Sequence, residues 1–299
     1  GMEKALQIQP FKNKETLFSE LAYTNEYVSS FTNNNALPNH GFETVTSDLK
    51  LLAIEDSFLE LAAIKKILDL SKSTNEYLKF LKKFKEYYPE LFQKSSEIEF
   101  TPFITKSIEE IVNKYGEIKD DASPDLVNIR RSINVVRGKI NQSFGMALSH
   151  FNSLGYLDDI KETVVDNRRV LAVQAMYRKK VKGSILGNSK TGSIAYIEPE
   201  TTLTYSRELN NLEFEEREEI MRILRVLSAT IRPYANLIAQ YQDFLSDIDV
   251  IAAKAKYANI INGILPKIND EKRLFFREAF HPILLLNNKA ENKPTFPQT

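Results

Sequence analysis

The stretch PDLVNIRRSINVVRGKINQSFGMALSHFNSL, Pro124 to Leu154, decides the fold, because its apolar residues recur in steps of three, four or seven. These residues are Leu126, Ile129, Ile133, Val136, Ile140, Ala147, Phe151 and Leu154. Such steps keep an apolar seam on one side of a helix. Ser123 is a favourable N-cap and Pro124 suits the first helical position. The pattern predicts a helix of about 45 Å that begins at Pro124.

A second seam follows in SRELNNLEFEEREEIMRILRVLSATI, Ser206 to Ile231, and it continues beyond a break at Pro233. Proline lacks the N–H of a helix interior and clashes one turn back, so it must interrupt the helix. Two helices joined through an insert most simply pack antiparallel. We therefore predict a lever of two antiparallel helices, although the seams alone fit two core helices of a bundle equally well.

The insert between the two helices changes to short runs that are mostly rich in β-branched residues. These runs are residues 163–165, 170–174, 181–186 and 193–197, and they are separated by Asp166-Asn167, a basic stretch and GNSKTG. Such runs with turn residues between them are typical of hairpin strands. The sequence predicts a mainly α protein whose lever carries a small antiparallel β clamp at its tip.

Charge is strongly uneven in the insert. The 299 residues contain 40 Lys and Arg and 40 Asp and Glu, so the whole chain has no net charge. Between Asn167 and Ile197 there is no acid, and seven cations lie there with Tyr177 and Tyr196 among them. The cations are Arg168, Arg169, Arg178, Lys179, Lys180, Lys182 and Lys190. They indicate a surface that contacts nucleic-acid phosphates, and a merely solvated strand surface is the alternative.

Other kinds of site find little support in the sequence. There is no Cys, which suits a cytoplasmic protein, and no apolar run approaches the 18 residues of a membrane span. GNSKTG has the glycine spacing of a phosphate loop, but Ser193 stands where the lysine is needed and a strand follows. The histidines, His40, His150 and His281, are scattered. We therefore predict no catalytic, metal or cofactor site.

At this point the motifs resemble the MutS family. RRVLAVQAMYRKKVKGSILGNSKTGSIAYIEPE (168–200), followed by the acidic helix, is similar to the clamp and returning lever of the branch that lacks the mismatch-reading domain and bears an Smr domain. GFETVTSDLKLLAIED (41–56), YGEIKDDASPDLVNIR (115–130), DVIAAKAKYA (249–258) and FHPILL (280–285) match in the same order. Two departures are Leu186-Gly187 in place of a His-Asp pair and Met176 in place of an acid before Tyr177.

The resemblance implies the domain order. It gives a helical core (2–122), an inbound lever helix (123–155), a β clamp (156–205), an outbound lever helix (206–232), the return of the core (233–270), and the start of a truncated ATPase domain with a tail (271–299). The fragment itself would be no enzyme.

The resemblance also implies partners. The fragment would grip DNA, whether duplex, mismatched or branched, with RNA as a further candidate. The longer parent would be a homodimer that uses ATP and Mg²⁺ in DNA repair or recombination control. A mismatch-repair MutS without its mismatch domain is an alternative within the family. A coiled-coil scaffold for an acidic protein or ribosomal RNA is an alternative from another class.

Overall fold

The computed structural model describes residues 2–271 and 273–297, and helices make up most of it. Residues 272, 298 and 299, which belong to the predicted ATPase start and tail, lie outside the described residues. The α-helices are α1 (Met2–Leu6), α2 (Lys14–Ser29), α3 (Thr46–Leu52), α4 (Leu61–Lys83), α5 (Pro89–Ser95), α6 (Phe103–Ile111), α7 (Pro124–Ser153), α8 (Glu200–Ile231), α9 (Ala235–Ile260) and α10 (Pro282–Ala290). The strands are β1 (Leu157–Val165), β2 (Arg168–Gln174), β3 (Gly183–Asn188) and β4 (Ile194–Pro199). The prediction of a mainly α protein with a small antiparallel sheet is confirmed.

The chain divides into two compact units, residues 1–108 with 228–299, and residues 109–227. In the first unit α9 packs against α2 and α4, and the rings of Tyr77 and Phe244 meet edge to face at 6.2 Å. The chain breaks its helix at Pro233, as predicted, with a 3₁₀ turn over residues 232–234. The Arg232 side chain donates hydrogen bonds to the carbonyl oxygens of Leu52 and Ser57 at 2.8 and 2.7 Å. The domain boundaries given by the sequence stay predictions.

The second unit is built on the antiparallel pair of α7 and α8. The direction follows from the side-chain contacts, because partners of rising number on α7 have falling numbers on α8. Ser123 donates to Glu219 at 2.5 Å, Arg130 to Glu216 at 2.7 Å and Arg137 to Glu213 at 3.2 Å. These polar contacts run beside the apolar seam and fix how α7 lies along α8.

Hydrogen bonds join the N-terminal end of α7 to α8. Ser123 accepts the N–H of Leu126 as a helix cap and donates to the buried carboxylate of Glu219. Two hydrogen bonds from Arg222 hold the pKa of Glu219 below its usual value, against the opposing effect of burial and with help from Ser123. The cap of α7 is thus tied to a charged group on α8.

Half of the predicted seam of α7 is buried, and the structure adds one residue to it. Leu126, Ile133 and Val136 of α7 are at most 3% exposed. Phe144, which the prediction passed over between Ile140 and Ala147, is fully buried. Leu154, which was predicted to lie in the seam, is 47% exposed, because α7 ends at Ser153 and Leu154 follows in the turn that leads to the sheet.

The four strands form one sheet in the order β1-β2-β4-β3, and all neighbours are antiparallel. Its apolar face packs on α7. Its core comprises Phe144, Leu157, Leu171, Val173, Val181, Ala195 and Ile197. Leu171 and Val173 of β2 and Ala195 and Ile197 of β4 thus pack in one cluster with the Phe144 ring of α7.

Two boundaries differ from the predictions. The helix α8 begins at Glu200, directly after β4, and Ser206 lies inside it, because the Ser206 hydroxyl bonds to Glu198 at 2.5 Å instead of capping a helix. The apolar stretch RLFFREAFHPILLL (273–286) predicts the first strands of a further domain, and this prediction is wrong from Pro282 onward, where α10 begins. Pro282 takes the first helical position and His281 Nδ1 accepts the N–H of Leu284 at 3.3 Å.

Candidate nucleic-acid interface

The sheet topology exposes a basic crossover segment, which we define as residues 175–182. β2 and β3 run in the same direction with β4 between them, so this segment must pass across β4. Val181 in the segment is 4% exposed and packs in the same cluster as Phe144. The segment therefore lies on the face of the sheet that packs on α7, and its polar residues turn outward.

Five of the seven predicted cations are exposed in or near this segment. Arg178, Lys179 and Lys180 occupy its turn and Lys182 its end, while Lys190 lies in the turn between β3 and β4. Within residues 2–271 and 273–297, none of the five forms an ion pair. Their positive charge is therefore not neutralised by a carboxylate of the described chain.

The other two cations, Arg168 and Arg169, are engaged within the clamp. Arg168 donates to the Glu198 carboxylate at 3.1 Å, and Glu198 is buried and also accepts the Ser206 hydroxyl. Arg169 donates to Glu162 at 2.6 Å and lies 4.3 Å from the centre of the Phe144 ring. The structure thus does not bring the seven cations together as one uniform surface.

Lys180 has an aromatic environment. The rings of Tyr156 and Tyr177 stack at 4.5 Å with an angle of 17° between their planes. The Lys180 ammonium lies 5.5 Å from the centre of each ring. A cation at this distance is attracted to the ring faces, so Lys180 interacts with its own domain as well as with solvent.

The glycine-spaced stretch Gly187–Gly192 does not form a phosphate loop. It belongs to the β3–β4 hairpin, in which the Ser189 N–H donates to the carbonyl of Ile194 at 2.9 Å and Gly192 has a φ of +73°. β4 follows directly, whereas a phosphate loop needs a helix N-terminus there. These residues therefore do not fit the phosphates of a nucleotide.

The histidines are dispersed in the structure as well. His40 lies 3.3 Å from Asp249 in the first unit, His150 is exposed near the end of α7, and His281 caps α10. Within the described residues, no three side chains of the metal-ligating types His, Asp and Glu form a group that could hold a metal ion. Among the same residues, no helix is both long and apolar enough to cross a membrane.

Sequence reasoning missed three residues that hold the clamp. Glu198 accepts hydrogen bonds from Arg168 and Ser206. Phe144 packs in the core of the sheet, and Tyr156 stacks on Tyr177. The step of four from Ile140 could have indicated Phe144. The positions of Glu198 and Tyr156 in the sequence do not indicate their partners, because these contacts depend on the order of the strands in the sheet.

Helices α7 and α8 with a four-stranded antiparallel sheet between them define the class, a mainly α protein with a small sheet inserted between two long helices. No family model matches the chain. Similar proteins include three named Endonuclease MutS2, from Ligilactobacillus salivarius (29% identity over 288 residues), Leuconostoc citreum (28% over 291) and Staphylococcus carnosus (28% over 291). The matches cover 95–96% of this chain but 36–37% of those proteins, so the chain spans about a third of their length.

These similarities run through almost the whole chain, as the ordered motifs do. The resemblance read from the sequence is therefore confirmed, because the chain is similar over 95–96% of its length to proteins named MutS2.

Proposed function

We propose that this chain holds DNA by its phosphate backbone through exposed cations in and beside the basic crossover segment, with Arg178 and Lys179 among them. The observation that carries the proposal is that five exposed cations in and beside the basic crossover segment lack a carboxylate partner among the described residues. Unneutralised Lys and Arg displace condensed counterions from nucleic acid, which supplies affinity that depends on salt.

The form of this surface supports backbone contact without sequence preference. The cations lie in the crossover segment and in a hairpin turn, and none of the five lies on an α-helix. Sequence is read by side chains that reach base edges in a groove, whereas phosphate contacts carry no direct sequence information. Binding should therefore be nearly equal for duplexes of different sequence.

The role in a longer protein follows from the relatives. They are named Endonuclease MutS2, and this chain covers about a third of their length. We assign to this part the holding of DNA, with no cutting and no ATP hydrolysis. In the parent, ATP turnover elsewhere would move the lever, and a homodimer would enclose DNA during repair or recombination control.

The test is the salt dependence of duplex binding, measured by fluorescence anisotropy at several salt concentrations. The variant Arg178→Gln with Lys179→Gln removes two charges from the crossover segment. Removing one phosphate-binding cation should lower the salt slope by about 0.9, so the slope of the double variant should fall by about 1.8 and its binding should be weaker. The matched control, Lys82→Gln with Lys85→Gln, removes the same charge from positions near the end of α4 and should keep the slope of the unchanged protein.

Competitors separate the alternatives. Duplex DNA should displace the labelled duplex more effectively than an acidic protein or heparin of equal charge. An unchanged slope in the Arg178 and Lys179 variant would contradict the proposal, and the scaffold alternative would replace it. Stronger displacement by double-stranded RNA would move the proposal from DNA to RNA.

A further inference from the structure

The basic crossover segment is fixed at both ends, so its conformation depends on how its middle is held. At its start the Ala175 N–H donates to the carbonyl of Ser193 at 2.9 Å. At its end Val181 is buried, and the Glu200 N–H donates to the carbonyl of Lys182 at 3.0 Å. Arg178 and Lys179 lie between these anchors in an exposed turn.

The middle is held by the stack of Tyr177 on Tyr156. Tyr156 is itself fixed, because the Gln174 N–H donates to its carbonyl at 3.0 Å and the Gln174 side chain donates to the carbonyl of Leu157 at 2.9 Å. On the side of α7, the Phe151 ring lies 6.4 Å from Tyr156 with an interplanar angle of 24°. A row of three rings therefore connects α7 to the crossover segment.

Lys180 completes this arrangement. The backbone N–H of Lys180 donates to the carbonyl of Tyr177 at 2.8 Å, and this hydrogen bond closes the turn that contains Arg178 and Lys179. Its ammonium lies over both tyrosine rings. The side chain thus points back to the stack, while its two cationic neighbours have no ring or carboxylate partner among the described residues.

We infer that Tyr156, Tyr177 and Lys180 are positioning residues that hold Arg178 and Lys179 ready for phosphates, and that Lys180 is not itself a phosphate contact. The inference rests on the proposed function. A turn that is ordered before binding loses less conformational entropy when it meets its ligand, and this raises affinity without adding contacts. Replacing a positioning residue should therefore lower the affinity while the number of phosphates that the protein neutralises stays nearly the same.

The experiment measures the dissociation constant and the salt slope of duplex binding for Tyr177→Leu, Tyr177→Phe and Lys180→Gln. Tyr177→Leu removes the stack and should weaken binding about three- to tenfold, with an unchanged slope. Tyr177→Phe keeps the ring and should bind like the unchanged protein. Lys180→Gln should weaken binding within the same range and lower the slope by less than half of the value for one phosphate contact.

Lys180 keeps the test decisive if Tyr177→Leu unfolds the clamp, since Lys180 is exposed and its replacement leaves the apolar core intact. A fall of about 0.9 in the slope of Lys180→Gln would overturn the inference, because Lys180 would then be a phosphate contact. Full affinity in a folded Tyr177→Leu variant would overturn it as well. If the Arg178 and Lys179 variant retains its slope, the proposed function itself fails, and the two failures are thus distinguished.

Discussion

Three glycines of the second unit differ in the space around them. Replacing Gly183 with alanine should lower the free energy of unfolding, whereas replacing Gly187 or Gly138 should raise it. At Gly183 an added Cβ would lie 2.1 Å from the carbonyl oxygen of Glu198 and 2.9 Å from its carbonyl carbon. At Gly187 in the same strand, the nearest atom would be Tyr196 Cδ2 at 3.6 Å. At Gly138 in α7, nothing lies within 4 Å.

The expected magnitudes follow from these distances. The contact at Gly183 is about 1.3 Å short of the 3.4 Å at which ordinary van der Waals contact begins, and the obstructing atoms are backbone. Because β3 pairs with β4 at this point, with Gly183 opposite Pro199, the strand cannot shift without loss of pairing. Gly183→Ala should lower the free energy of unfolding by about 3 kcal/mol, the upper part of the range for overpacking. Gly187→Ala and Gly138→Ala should raise it by up to about 1 kcal/mol, since glycine in a strand or helix interior loses more conformational freedom on folding.

The assay must report on the sheet rather than on the whole chain, which contains two compact units and no Trp. Hydrogen exchange followed by mass spectrometry, on peptides that cover residues 168–199, meets this need. Gly183→Ala should speed exchange in these peptides, whereas Gly187→Ala should leave it unchanged or slower. Equal exchange in the two variants would refute the reasoning that the close approach of β3 to Glu198 fixes the strand.

The remaining predictions concern acid stability and ATP. The pKa of Glu219 is lowered in the folded protein, so its contribution to stability is present above its ordinary pKa of 4.5 and is lost as the pH falls through the folded value. Urea unfolding across the acid range, from neutral pH to well below that ordinary pKa, should show a shallower acid limb for Glu219→Gln, and parallel limbs would contradict this. In steady-state assays with Mg²⁺, the chain should hydrolyse no more ATP than a blank without protein; turnover that a substitution in Gly187–Gly192 abolishes would show that this hairpin turn acts on nucleotide after all.

Much of the fold could be predicted because it depends on local patterns. The seam of α7, its start at Ser123 and Pro124, and the break at Pro233 each follow from a rule about one helix. The existence of β strands followed from β-branched runs and turn residues. The start of α8 could not be predicted in this way, because Ser206 is a residue type that often caps a helix. In the fold its hydroxyl donates to Glu198 instead.

For the candidate site, the sequence could predict the excess of positive charge but not the partners of each cation. The absence of acids between Asn167 and Ile197 marked the insert, but the acids that pair with Arg168 and Arg169 are Glu198, one residue beyond that interval, and Glu162, before it. Which cation meets which acid is set by strand order and register, and the crossover from β2 to β3 cannot be read from spacing. The stack of Tyr156 on Tyr177 depends on the same topology.

This division of the cations limits how strongly salt can act on binding. If all seven contacted phosphates, the slope would be about 6.3 at roughly 0.9 per contact. Arg168 and Arg169 already have carboxylate partners, and breaking those pairs would leave the buried Glu198 without its cation, at a cost typical of an uncompensated buried charge. With Lys180 assigned to the tyrosine rings, four cations remain, namely Arg178, Lys179, Lys182 and Lys190. The slope of one clamp should therefore not exceed about 3.6, and a larger value would mean that a second surface or a second copy of the chain shares the DNA.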